Sequence, residues 1–149
     1  MNKRGFTLIE LLAVVAILAI ISLIAVPNVM KIMENNYKEK VVNDANSLIA
    51  LAKYEVAKNS ALRESLTTVG NKVYTLREID GKGDILNDPK GSAYSRDESY
   101  VRVGLYDGII KYCVYLVSNN YEVVKDNSCV MENYILGDNP KTYVNELKS

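Results

Sequence analysis

Between Leu11 and Val26 the chain reads L-L-A-V-V-A-I-L-A-I-I-S-L-I-A-V without a charged side chain, and it stays weakly polar as far as Met30. About 20 such residues cross a hydrocarbon core ~30 Å thick. Three fates are open to such a segment: a signal removed on secretion, a helix kept in the membrane, or a core helix of a soluble protein. A removable signal has a shorter apolar region, roughly 7–15 residues, ending in a small-x-small site. Here only Leu23-Ile24-Ala25 offers anything similar, and no Cys follows to carry a lipoprotein anchor. A soluble helix of this length keeps a polar stripe, and this one has none. Retention in the membrane fits best.

The run opens on an acid. Glu10 follows the basic Lys3-Arg4 and the small Gly5. A carboxylate costs about 2.5–3.5 kcal/mol only near the bilayer centre, so one reading leaves Glu10 among lipid headgroups. The other comes from the whole string Lys3-Arg4-Gly5-Phe6-Thr7-Leu8-Ile9-Glu10-Leu11-Leu12, which resembles the type IV prepilin leader joined to the start of the mature pilin. Basic leader, Gly, Phe, Thr-Leu-x-Glu and then an apolar stretch are all present.

The resemblance implies a division into a leader at 1–5, a transmembrane and polymerisation helix at 6–30, and a globular head at 31–149. It implies that a prepilin peptidase cuts between Gly5 and Phe6 and methylates the new Phe6 amine. Gly5 suits the cut because it has no Cβ and lets the backbone approach closely. It implies a charge pair between Glu10 of one subunit and the Phe6 amine of a neighbour. A buried carboxylate without a partner costs several kcal/mol, so such a pair selects the stagger at which apolar helices stop. The implied partners are other copies or related pilins, the peptidase, an assembly platform in the cell membrane, and the lipid bilayer before assembly. The implied location is a single-pass membrane protein with its C-terminus outside, and then a surface filament. Lys3 and Arg4 favour a cytoplasmic N-terminus, although Lys31, Lys38 and Lys40 lie beyond the other end.

Pro27 has no amide hydrogen and clashes one turn back, so a kink is expected there, with a helix end at Val26 as the alternative. From Asn28 to Asn59, Met30, Met33, Tyr37, Val41, Ala45, Leu48, Ala52 and Val56 recur at three- and four-residue steps, which is helix period. A helix from Phe6 to Lys58 would be roughly 80 Å long. Its amphipathic half, 31–59, is expected to cover a sheet, as in pilins.

A turn-rich connector, 60–99, holds a short possible strand at Lys72–Leu76. Asp80, Asp84 and Asp88 suggest a calcium loop, but Lys82 and the missing Gly after Asp84 break the EF-hand pattern. Asp88-Pro89-Lys90-Gly91-Ser92-Ala93-Tyr94 resembles the Asp-Pro-x-Gly-x-x-Tyr segment of pseudopilins and many pilins. Lys90 departs from the usual aromatic, and the segment reads as a rigid turn with Tyr94 packed beneath.

The sheet and tail occupy 100–149. Val101, Val103 and Leu105 alternate, Asp107-Gly108 is a two-residue hairpin signal, and Ile110, Tyr112, Val114 and Leu116 return on the matching face. Asn119-Asn120 leads into a third strand at Tyr121–Lys125, which gives a meander on a helix and an α+β pilin fold. In that register Cys113 points away from the helix, opposite Asp126. A Cys113–Cys129 bridge and two free thiols both stay open. Val130–Leu136 offers an edge strand, and little order is expected beyond it.

The chain of 149 residues has 18 basic and 18 acidic groups and no His, so net charge nominates no partner and the usual general base is missing. No Gly-x-Ser-x-Gly, Ser-x-x-Lys or phosphate loop is present. A membrane-tethered enzyme is therefore a distant alternative; no catalytic residue, metal site or cofactor is expected. Arg96, Arg102, Lys111 and Lys125 lie near Tyr100, Tyr115 and Tyr121, but acidic neighbours dilute that patch and nucleic acid is not expected as a partner. By resemblance the chain reads as a major or minor pilin for adhesion, twitching or DNA uptake, with a pseudopilin of a secretion or competence system as the alternative.

Overall fold

The computed structural model describes residues 6–59, 61, 64, 66, 71–81, 83, 85 and 87–147. The expected leader, with Gly5, lies outside the described residues, as do Lys82 and Asp84. The chain forms two compact units, Met1–Asn36 and Tyr37–Ser149.

One helix, α1 (Leu8–Lys58), supplies the described structure of the first unit and enters the second. It is continuous through Pro27, which overturns the alternative of an end at Val26. Pro27 cannot donate to the Leu23 carbonyl. Around that gap, side chains bond to backbone oxygens: Ser22 Oγ donates to Leu18 O at 2.7 Å and Asn28 Nδ2 to Ile24 O at 3.1 Å. Every described side chain of the first unit is exposed.

In the second unit the helical stripe is the core face. Val41, Ala45, Leu48 and Ala52 are fully buried, with Val42, Ile49 and Val56 beside them. Burying each Val, Leu or Ile contributes about 1.5–3 kcal/mol. The stripe begins at Tyr37, which packs on this core, and not at Met30. Met30 and Met33 are 65% and 46% exposed and extend the apolar surface of the first unit.

The sheet pairs β1 (Asn71–Thr75), β2 (Tyr100–Tyr106), β3 (Ile109–Val117), β4 (Tyr121–Val123) and β6 (Val144–Glu146) in that order. β5 (Val130–Met131) pairs with β3 off this path, and all the pairings are antiparallel. The expected three-strand meander β2–β3–β4 is present as the centre of this larger sheet. At its hairpin Asp107 and Gly108 have φ 53° and 76°, the double positive φ of a two-residue turn that matches strand twist. Val101 and Val103 lie opposite Val114 and Tyr112, and all four are buried under α1. One edge of β3 pairs with β2, while the other is shared by β5 at Cys113–Val114 and by β4 at Leu116–Val117.

Three expectations change. Asp126 does not face Cys113: Asp126 and Asn127 take φ 50° and 57° in a tight turn between Lys125 and Ser128, and the returning β5 sets Met131 opposite Cys113. Val130–Leu136 is not one strand, because after Met131 the chain turns into a short helix, α3 (Glu132–Ile135). Val130 and Ile135 are both buried, and an odd separation puts two strand residues on opposite faces, so only a turn returns Ile135 to the core. The tail is structured as far as Leu147: Pro140 starts a 3-10 turn at Pro140–Tyr143, and buried Val144 pairs with Val123 in β6. The connector also carries β1, followed by a four-residue helix, α2 (Leu76–Ile79), in which Leu76 is fully buried.

Candidate functional site

The helix start is built by Thr7 and Glu10. With Leu8 as the first helical residue, Thr7 is the N-cap and Glu10 the third helical position. Thr7 N donates to Glu10 Oε2 at 2.9 Å, Thr7 Oγ1 donates to the same oxygen at 2.8 Å, and Glu10 N donates to Thr7 Oγ1 at 3.4 Å. This is a reciprocal capping box, which satisfies N–H groups that the first turn leaves without partners. The Thr-x-x-Glu spacing announces it, and the sequence reading above missed it. The acid therefore has partners within its own helix before any second chain approaches. Phe6, just ahead of the cap, is 75% exposed.

From Leu8 to Val26 the large apolar side chains are 46–78% exposed. This stretch is long and apolar enough to cross a membrane, and none of it is buried. Apolar on every side, such a surface is stable only in lipid or against other apolar helices.

The Asp88 turn is the polar centre of the second unit. Asp88 Oδ1 accepts from the backbone of Lys90 and Ser92 at 2.8 and 3.0 Å, and Oδ2 from Ser118 Oγ and Asn120 Nδ2 at 2.7 and 3.0 Å. Burial works to raise its pKa, but these four bonds win and hold the carboxyl below the usual Asp value. Gly91 closes the turn at φ 91°. Tyr94 is packed beneath, as expected, and donates to Asp44 Oδ2 of α1 at 2.8 Å, while Lys40 bonds both Asp44 and Asn87 O. Burial, reinforced by Asp44, drives the Tyr94 hydroxyl far above the ordinary tyrosine value. Lys90 pairs with Glu146 of β6, which raises its pKa, and its ammonium stands 5.4 Å from the Tyr121 ring.

Nothing here gathers a metal: among the described residues no three His, Cys, Asp or Glu side chains come together. Arg96 donates to both the Asp80 carbonyl and its carboxylate. The basic and aromatic residues considered for nucleic acid do not all share one surface. Tyr121 is buried, and Lys125 stands 3.5 Å from the Tyr134 ring. Tyr100, Arg102, Lys111 and Tyr115 remain on the outer face. The same face carries the Cys113–Cys129 disulfide, with Cα atoms 5.4 Å apart.

Neither the curated proteins nor the solved structures include a match to this chain. The family profile described as the prokaryotic N-terminal methylation motif matches residues 1–26. That span holds the basic leader, Gly5, Phe6, the Thr7–Glu10 cap and the uncharged run up to Val26. The motif belongs to structural rather than catalytic proteins, and with the apolar helix it fits membrane anchoring before assembly. Over these first 26 residues the chain carries the type IV prepilin leader signature.

Proposed function

We propose that the chain is a structural subunit of a type IV pilus, major or minor. A prepilin peptidase cuts it between Gly5 and Phe6, methylates the Phe6 amine, and leaves residues 6–30 as the helix that anchors and polymerises. Residues 31–149 are the head, displayed outside the cell once the assembly platform has drawn the subunit from the membrane. The observation that carries this reading is the leader signature running directly into an uncharged stretch of helix, Leu11–Met30, with no buried residue. Removing such a surface from lipid demands an equally apolar partner, and neighbouring copies supply it. Glu10 then meets the Phe6 amine of a neighbour, and Pro27 gives the helix a local bend. Adhesion, twitching or DNA uptake would follow from the display of the head.

Glu10→Ala tests the reading. It should be cut and inserted normally, while sheared filaments fall by more than ~10-fold, as expected when every subunit loses a buried charge pair. Wild-type filament yield would remove the charge pair from the mechanism.

A second reading, a pseudopilin of a secretion or competence system, draws on the Asp88–Tyr94 turn, locked here as a rigid unit. Long extracellular filaments by electron microscopy favour the pilus, and their absence with intact secretion favours the pseudopilin.

A further inference from the structure

β3 is paired along its whole length on one side only. Asp107-Gly108 is a two-residue turn, so Tyr106 and Ile109 exchange both backbone bonds, and the pattern alternates along the strand. Ile109, Lys111 and Cys113 therefore turn their N–H and C=O toward β2, while Ile110, Tyr112 and Val114 turn theirs the other way. On that second side β5 covers Val114 and β4 covers Leu116, but α3 begins at Glu132 and takes the chain away from the strand. Among the described residues no strand pairs there with Ile109, Ile110 or Lys111. The backbone of Ile110 faces instead a groove of about 570 Å³ lined by Ile110, Lys111, Tyr112, Met131, Tyr134 and Leu136. An open strand edge is a template for a further strand.

The groove also says which strand fits. Ile110 packs on the core, Tyr112 is buried, and Leu136 stands 65% exposed, so an apolar side chain gains cover here. Lys111 lies on the outer face and, among the described residues, forms no ion pair; its ammonium is 5.8 Å from the Tyr106 ring. Glu132, the acid of the groove, is already paired with Lys53. Side chains of an added strand point alternately to the two faces, one toward Ile110 and Tyr112 and the next beside Lys111.

We infer that this groove binds an extended segment of another protein, added antiparallel to β3, with alternating apolar and acidic side chains. The apolar residue opposite Ile110 shares its face and exchanges both backbone bonds with it, and the neighbouring acid meets Lys111.

The test uses the full chain in detergent micelles, with empty micelles as reference, and capped, fluorescein-labelled hexapeptides read by anisotropy. The probe alternates Val and Glu. A second peptide has Lys in place of Glu, and two more are N-methylated on every Val or on every Glu. The Val–Glu peptide should bind and slow hydrogen exchange at the Ile110 amide. Methylation on Val removes the N–H that Ile110 O accepts and should weaken binding ~10-fold, whereas methylation on Glu should leave it unchanged. Lys111→Glu should reverse the preference in favour of the Val–Lys peptide, and Leu136→Asp should weaken the Val–Glu peptide. Near-ultraviolet circular dichroism checks the fold of both variants, and the methylated pair needs no variant. Equal binding of the two methylated peptides, or of the Val–Glu and Val–Lys peptides, would reveal apolar adsorption only and overturn the inference. So would a Val–Glu peptide that does not bind, or an Ile110 amide whose exchange is unchanged. Wild-type dimers that Leu136→Asp dissociates, with no peptide bound, would give the groove to a second copy and overturn it too.

Discussion

Tyr94 and Asp44, fifty residues apart in sequence, are joined by a 2.8 Å hydrogen bond from the tyrosine hydroxyl to Asp44 Oδ2. The bond ties the connector to α1, and Lys40 adds a second tie through Asn87 O. Tyr121 is also buried, yet its hydroxyl has no partner among the described residues.

The two tyrosines should therefore respond oppositely to loss of the hydroxyl. Tyr94→Phe leaves Asp44 short of a donor and should cost about 1–2 kcal/mol. Tyr121→Phe removes a buried group that bonds to nothing and should be neutral or stabilising by up to about 1 kcal/mol. Denaturant melts of the full chain in detergent, followed by near-ultraviolet circular dichroism, compare them. Equal losses would contradict the assignment of Tyr94 as the tie.

Asp88 should make the head acid-sensitive. Its folded pKa is depressed, so its stabilising contribution is fully present above the ordinary Asp value of about 3.9 and is lost as pH falls through the lower folded value. The stability gap between wild type and Asp88→Asn should be widest near neutrality and close at the acid end. A gap that widens in acid would reverse the sign and refute this role.

Gly91 and Gly81 separate backbone strain from crowding, since a Cβ at either meets nothing within 4 Å. Gly91 has φ 91°, so Gly91→Ala should cost about 1–2 kcal/mol. Gly81→Ala should be stabilising by about 0.4–1 kcal/mol through the unfolded chain. The same melts read both, and a neutral Gly91→Ala would show that the turn relaxes freely.

The Cys113–Cys129 bridge spans 16 residues of sequence, and a closed loop of about 15 residues is worth roughly 3 kcal/mol in the chain-entropy model. The double Ser variant should lose that much. Thiol titration of the denatured, unreduced wild type should find no reactive thiol; two would contradict the bridge.

Strong periodicity and turn chemistry were legible in the sequence. Val41, Ala45, Leu48, Ala52 and Val56 could face one way only on a helix, and Asp107-Gly108 closes a hairpin by its φ requirements alone. What was hidden depends on contacts between distant segments. Extending the β4 register would put Asp126 opposite Cys113, and only the tight turn at Asp126-Asn127 replaces it with Met131. Val144 is a lone buried apolar residue in a polar tail, too sparse a pattern to announce β6. At the helix start, the apolar surroundings of Glu10 in the sequence point to an outside partner. The nearer partner is Thr7, whose signal, the Thr-x-x-Glu spacing, is short and local beside the long apolar run that follows it.

In the proposed function the leader is removed after Gly5 while the apolar helix stays with the product. Intact mass and N-terminal sequencing of the chain recovered from cells test it most directly. The expected product begins at Phe6, carries one methyl group on that amine, and retains the whole stretch from Leu11 to Val26. A product that still bears Met1–Gly5, or one that has lost the apolar stretch, would contradict it.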